Sequence, residues 1–222
     1  MRQSTAIEEN YLKAIYKIEN TSRALVSTSE LALAMEVQAA SVTDMLKKLA
    51  SKKLIHYKKY HGVKLTATGK RAAMRIVRKH RLWETLLVKK LGFSWSDVHA
   101  VAEQLEHVDS EELIDRLDSF LGYPETDPHG DPIPGKDGEI IVQESIPLTQ
   151  LKESESGKIA GVQSDQKELL DYLEKLDLLI GNELQVMEIH PFDGSMKIKI
   201  SGKNENTISQ AVSSNLLIKK AD

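Results

Sequence analysis

The chain contains no cysteine. That excludes a disulfide framework, an iron–sulfur cluster, a thiolate zinc site and a thiol nucleophile. Aromatic residues make up only 5% of its 222 positions, so Leu, Ile, Val and Ala must fill the core. No apolar run approaches the ~20 residues that span a bilayer. The first residues, Met1 to Glu9, lack the apolar stretch of a secretory signal. The expectation is a cytoplasmic protein without a membrane partner.

Net charge is also low, at −3, but it is unevenly spread. Residues 1–80 carry 16 basic and 6 acidic side chains, whereas residues 81–222 carry 14 and 27. A basic N-terminal third on an acidic body points to a polyanionic partner for one end of the molecule.

Hydrophobic spacing predicts a helix from Thr5 to about Asn20, with Ile7, Tyr11, Ala14, Ile15 and Ile18 on one face. Thr5 and Glu8 have capping-box spacing. A short helix from Ser27 or Thr28 to Met35 and a third from Gln38 to Lys52 follow. Two β-capable runs flank His61-Gly62 and read as a hairpin. A long helix is expected from Ala67 to Leu91, one from Ser94 or Ser96 to about Val108, and one from Ser110 to Leu121. Residues 122–138 hold four of the six prolines and read as an ordered connector. Beyond them the period changes. Ile140–Val142, Asn182–Ile189, Met196–Ile200 and Asn215–Lys219 are strand candidates, with a helix over Gln166–Leu176 and a hairpin turn at Asp193-Gly194. A small β-barrel fits.

Short helix, tight turn, second helix and hairpin is the order of a winged helix-turn-helix. Gln38, Ala40, Ser41, Thr43 and Asp44 begin the second helix with the small and polar side chains that suit a major groove. Lys47, Lys48, Lys52, Lys53, Lys58 and Lys59 fall within 13 residues, as phosphate contacts require. Tyr60, His61 and Lys64 lie on the wing. Asp44 runs against this charge pattern unless it accepts from a cytosine amino group.

A second constellation is His80-Arg-Leu-Trp-Glu84 followed by His99, Glu103, Glu106 and His107. At 100° per residue the latter four share an arc of about 100° if one helix carries them all. Paired helices presenting imidazole and carboxylate groups commonly build metal sites. Without thiolate the donor set favours Mn(II) or Fe(II). Three readings remain open on the residues alone: a metal-responsive regulator, a winged-helix regulator of a non-metal effector, and a metal-dependent enzyme. No nucleophile elbow, phosphate loop or HExxH motif supports the last, and the expectation is a protein that is not an enzyme.

The combination resembles the diphtheria-toxin-repressor and manganese-transport-regulator family of metal-dependent transcriptional repressors. The resemblance runs through Glu9-Asn-Tyr-Leu-Lys-Ala-Ile-Tyr16, Leu65-Thr-Ala-Thr-Gly69, His80-Arg-Leu-Trp-Glu84, Glu106-His107 and Pro124 to Gly135. It implies a mainly α fold with a small β part in three domains: a winged-helix DNA-binding domain (1–66), a helical dimerisation and metal-binding domain with its Pro-rich connector (67–138), and an SH3-like barrel (139–222). It implies a homodimer that binds palindromic double-stranded operator DNA when loaded with Mn(II), or alternatively Fe(II), and represses metal-uptake genes. His80, Glu103, Glu106 and His107 match family ligand positions. Glu103 stands where iron-type members have cysteine and manganese-type members glutamate. Glu84 and His99 match an ancillary site whose barrel ligands align nearest to Asp165 and Glu168. The family's first helix supplies a ligand where this chain has Asn10. Members with paired manganese have a glutamate at the place of Lys13, and an ammonium is no ligand.

Overall fold

The computed structural model describes residues 5–22, 25–141, 144–202 and 204–220. The chain divides into two compact units, one comprising residues 1–80, 105–109 and 134–140, the other residues 81–104, 110–133 and 141–222.

The first unit opens with α1 (Ala6–Ser22), α2 (Thr28–Ala34), α3 (Ala39–Ser51), β1 (Ile55–Lys58) and β2 (Gly62–Leu65). Thr5 caps α1: its N–H donates to Glu8 Oε2 at 2.8 Å, and Glu8 N–H donates to Thr5 Oγ1 at 3.4 Å. Ser27 and Glu30 form the same reciprocal box at the start of α2. Met35, Glu36 and Val37 make the tight turn, with Glu36 in the left-handed region at φ 52°. β1 and β2 pair antiparallel from Ile55–Leu65 to Lys58–Gly62. The hairpin turn is therefore Lys59-Tyr60-His61, one position earlier than the sequence reading, and Gly62 is already strand. Val26 bridges to Val63 and ties the loop before α2 to the wing. Leu12, Ile15, Leu31, Val42, Leu46, Leu49 and Val63 are fully buried in one core. Ile7, expected on the apolar face of α1, is 59% exposed, while Leu12 is fully buried.

α4 (Ala67–Leu91) begins in the first unit and continues into the second. α5 covers Val98–Leu105 and α6 covers Glu111–Phe120. The expected extension of α5 to Val108 is not found. Ser94 Oγ instead caps a turn through Asp97 before the helix, and the last turn is spent on Glu106 and His107 outside it. Ser110 then caps α6 by accepting from Leu113 N–H. Leu82, Ile114, Leu117 and Ile133 form a small core in the second unit.

The connector is ordered by short polar contacts. Asp127 Oδ1 accepts from His129 and Asp131 N–H, and Thr126 bridges to Pro132. Arg78 Nη1 donates to the Pro134 carbonyl in the first unit, and Arg81 Nη1 to the Pro132 carbonyl in the second. Gly130, at φ +88°, passes so close to Ala160 that a Cβ would lie 2.1 Å from the Ala160 carbonyl oxygen.

The remaining elements are β3 (Ile146–Pro147), a 3-10 turn at Leu148–Gln150, β4 (Ser156–Val162), α7 (Lys167–Lys175), β5 (Glu183–Ile189), β6 (Met196–Ile200), β7 (Asn204–Ile208), α8 (Gln210–Asn215) and β8 (Leu216–Lys220). They form one antiparallel six-stranded sheet in the order β3-β8-β4-β5-β6-β7. Both ends are free, so the sheet does not close on itself as the expected barrel would. Ile140 and Ile141 are not strand, and Val142, the rest of that candidate, lies outside the described residues. Leu148, Leu173, Leu184, Val186, Ile198 and Ile218 sit at the centre of this domain's core.

Candidate metal centres and DNA-reading surface

α3 exposes Gln38, Ala40, Ser41 and Asp44 at its N-terminal end and Lys47 and Lys48 further on. Val42, Leu46 and Leu49 anchor its opposite face in the core. Thr43 is half-buried and turns its hydroxyl back to the Ala39 carbonyl at 3.0 Å. The sequence left Asp44 as a charge conflict. Its carboxylate pairs with Lys47 at 3.0 Å, both ends exposed, a contact worth well under 1 kcal/mol that still offsets the local charge, at about a few tenths. On the wing, His61 and Lys64 are exposed and Tyr60 is 91% exposed, with Lys59 Nζ over its ring. These side chains are available to a duplex. Lys48 and Lys52 differ, because both ammonium groups reach the buried carboxylate of Glu8 on α1.

The first histidine–carboxylate centre lies within the first unit. Glu106 is fully buried in the turn after α5. His80 Nδ1 meets its Oε2 at 2.5 Å, and Lys13 Nζ donates to both its oxygens at 2.6 and 2.8 Å. Burial works to raise the Glu106 carboxyl, but the bond from His80 and the Lys13 charge outweigh it and hold the group below its ordinary value. His107 Nδ1 meets Glu9 Oε2 at 2.7 Å, and its Nε2 stands 3.8 Å from Glu106 Oε1. α1 therefore reaches this centre through Glu9 and Lys13. Between them lies Asn10, whose side-chain oxygen is buried without a hydrogen-bond partner.

The second centre lies within the second unit. Glu84, Asp127 and His129 are all buried, and each offers a ligand atom within 4.8 Å of the others. His129 Nε2 lies 3.1 Å from the Trp95 carbonyl. A carbonyl only accepts, so Nε2 carries a proton there. The ring also stands edge-on to Trp95 at 5.7 Å. Desolvation pushes the Asp127 carboxyl well above its ordinary value, aided by the charges of Glu84 and Asp131 and only partly opposed by Arg81. His99 Nδ1 lies 3.2 Å from Glu84 Oε1, and its Nε2 lies 3.4 Å from Glu103 Oε1.

His80, Glu106 and His107 come together beside Asn10's helix, and Glu84, His99 and Glu103 come together in the second unit. The single helical arc for His99, Glu103, Glu106 and His107 is corrected, since α5 ends at Leu105. Asp165 and Glu168 are exposed at the start of α7, outside the buried cluster. Sequence reasoning missed Glu9, Asp127 and His129. Asp127 and His129 sit in the proline-rich connector, where no helical or strand period shows which side chains face inward.

Both centres suit a divalent cation. An unpaired buried amide oxygen costs about 1–3 kcal/mol, and Asn10, next in sequence to the Glu9 that meets His107, bears that cost. Two buried carboxylates, Glu84 and Asp127, share one space, an arrangement that calls for positive charge. Nitrogen and carboxylate donors without thiolate are those of a Mn(II) or Fe(II) site.

A winged helix joined to helices that carry histidine–carboxylate centres defines a metal-handling DNA-binding protein. Three family profiles match in series: "Iron dependent repressor, N-terminal DNA binding domain" over residues 4–63, "Iron dependent repressor, metal binding and dimerisation domain" over 66–135, and "FeoA domain" over 146–220. The chain belongs to the iron-dependent repressor family. It is 35% identical over 127 residues to the iron-dependent repressor IdeR of Mycobacterium leprae, covering 57% of this chain and 55% of that protein. The chain thus spans about half the length of that curated relative. It is 28% identical to the diphtheria toxin repressor of Corynebacterium diphtheriae over 94% of this chain and 95% of the relative. A solved structure titled as a manganese-dependent transcriptional repressor in complex with manganese shares 33% identity and a TM-score of 0.85, covering 96% of this chain and 100% of its own.

Proposed function

We propose that this chain is a metal-responsive transcriptional repressor. It binds palindromic operator DNA as a homodimer when loaded with Mn(II), with Fe(II) as the alternative, and controls metal-uptake genes from the cytoplasm. The observation that carries this reading is α1. This one helix brings Glu9 and Lys13 to the first centre, carries Asn10 between them in sequence, and packs in the same core as the DNA-reading helix α3. The mycobacterial relative named for iron and the solved repressor named for manganese support the two candidate metals. No helix among the described residues is long and apolar enough to cross a membrane.

The division of labour follows the three expected domains, 1–66, 67–138 and 139–222. His80, Glu106, His107 and Asn10 would hold an ion at the first centre. Glu84, His99, Asp127 and His129 would hold one at the second, with Glu103 at its edge and Asp165 and Glu168 as candidate barrel ligands. A bound divalent cation supplies the positive charge that draws these oxygen and nitrogen donors together. Glu9 against His107 Nδ1 would leave the His107 Nε2 to ligate, and Glu106 against His80 Nδ1 fixes the His80 ring and would leave its Nε2 to ligate. Gln38, Ala40, Ser41, Thr43 and Asp44 face base edges, while Lys47, Tyr60, His61 and Lys64, joined by Lys48 when it leaves Glu8, face the backbone. By two-fold symmetry a dimer presents two such surfaces to successive turns of DNA.

Fluorescence anisotropy of the purified protein on DNA from upstream of its own gene tests the reading. Salt-sensitive binding that appears with Mn(II) or Fe(II) and is abolished by chelator is the expected result. Binding indifferent to chelator would favour a non-metal effector instead.

A further inference from the structure

Of the two acidic residues in the first turn of α1, Glu8 is the one that turns away from the metal centre, and it is fully buried. At 100° per residue, Glu9, Lys13 and Asn10 share an arc of about 100°, and Glu8 lies about 100° beyond its nearer edge. Its carboxylate receives the C-terminal half of the DNA-reading helix. Lys52 Nζ stands 2.7 Å from Oε1 and 2.8 Å from Oε2, and Lys48 Nζ stands 3.3 Å from Oε1. Oε1 meets the two ammonium groups at ion-pair distance without an aligned hydrogen bond. The same carboxylate closes the Thr5 cap of α1. One side chain therefore holds both the first turn of the metal-facing helix and two lysines, Lys48 of α3 and Lys52 at its C-cap.

We propose that Glu8 is a positioning residue that couples the metal centre to DNA reading by clasping Lys48 of α3 and Lys52 at its C-cap to α1. The inference rests on the metal-responsive reading above. The clasp does two things. It fixes α3 to the helix whose next two residues face the first centre, so a change in α1 on metal binding is delivered to α3. It also withholds two ammonium groups from phosphate for as long as the pair holds. A carboxylate that served only the stability of the fold would do neither: its loss would weaken metal-free and metal-loaded protein alike.

The test measures DNA affinity of the full chain, metal-free and with saturating Mn(II), for the wild type and for Glu8→Gln. Glu8→Gln is expected to bind DNA about tenfold more tightly without metal. Its salt dependence should steepen by up to about two phosphate equivalents as Lys48 and Lys52 become available. The gain in affinity produced by Mn(II) should shrink at least tenfold. Mn(II) affinity in the absence of DNA should stay within about twofold. Glu8→Asp, which keeps the charge on a shorter arm, should fall between the two and serves if the glutamine variant does not fold. Amine labelling read by mass spectrometry gives a readout without DNA. Lys48 and Lys52 should react more slowly than Lys47 and Lys53 in the wild type, and Glu8→Gln should abolish that difference. A metal-dependent wild type with an equally metal-dependent Glu8→Gln variant, or unchanged lysine reactivity, overturns the coupling alone. A wild type whose DNA affinity ignores metal overturns the reading and the coupling together.

Discussion

Lys13 sets its ammonium against both carboxylate oxygens of Glu106, at 2.6 and 2.8 Å, inside the first histidine–carboxylate centre. Glu106 has no exposure and Lys13 only a fifth. A tethered cation thus occupies part of the charge that the centre offers to a metal ion. Replacing Lys13 by Met leaves a buried carboxylate with one fewer counter-charge, which costs about 3 kcal/mol. The metal-free melting temperature should fall by several degrees. The same change should strengthen Mn(II) binding roughly tenfold, because a competing positive charge is gone. Calorimetric melts with and without Mn(II) check both signs; a variant that loses stability without gaining metal affinity would separate Lys13 from the centre.

Asn10 behaves in the opposite sense. Its buried oxygen has no hydrogen-bond partner. Asn10→Ala removes an unsatisfied acceptor, so metal-free stability should hold or rise by up to about 1 kcal/mol. Metal affinity should drop, and Asn10→Asp should raise it by adding charge. Isothermal titration of the three proteins with Mn(II) ranks them, and equal affinities would exclude Asn10 as a ligand.

The second centre should bind its ion independently. Asp127→Asn relieves the repulsion between Asp127 and Glu84 and should raise metal-free stability. Elemental analysis after gel filtration should show two Mn(II) per wild-type chain and one in Asp127→Asn or His129→Ala. Loss of both ions from either variant would mean that the two centres do not fill separately.

Gly130 locks the connector that carries Asp127 and His129. A Cβ there meets the Ala160 carbonyl oxygen at 2.1 Å with the backbone at φ +88°. Gly130→Ala should cost roughly 3 kcal/mol from strain and overpacking together. It should also weaken the second centre more than the first. Chemical denaturation and the same elemental analysis measure the two effects.

Much of this molecule could be read from residue order. Ser27 and the Met35-Glu36-Val37 turn announced the helix-turn-helix, and Leu91-Gly92 ended α4 where expected. These signals are local. β4 was illegible because Gly157 and Gly161 occupy its inward places beside Ile159 and leave little apolar alternation; a Cβ on Gly157 would lie 2.4 Å from Ile218 Cγ2. β7, Asn-Glu-Asn-Thr-Ile, is a polar edge strand, and α8 is a six-residue helix whose last four residues, Val-Ser-Ser-Asn, are weak helix formers. In the site, His80, Glu106 and His107 were legible as residue types. Their tie to Glu9 was not, because it joins positions 98 residues apart. The role of Glu8 was hidden for a related reason: capping-box spacing explains it completely until Lys48 and Lys52 are seen beside it.

The central claim is that the centre reached by α1 controls DNA binding. Operator affinity of wild type and His107→Ala across one Mn(II) titration tests it most directly. The account expects the wild type to gain at least tenfold in affinity as Mn(II) rises, and His107→Ala to stay at its metal-free level while keeping its fold. A His107→Ala titration that follows the wild-type curve would contradict it.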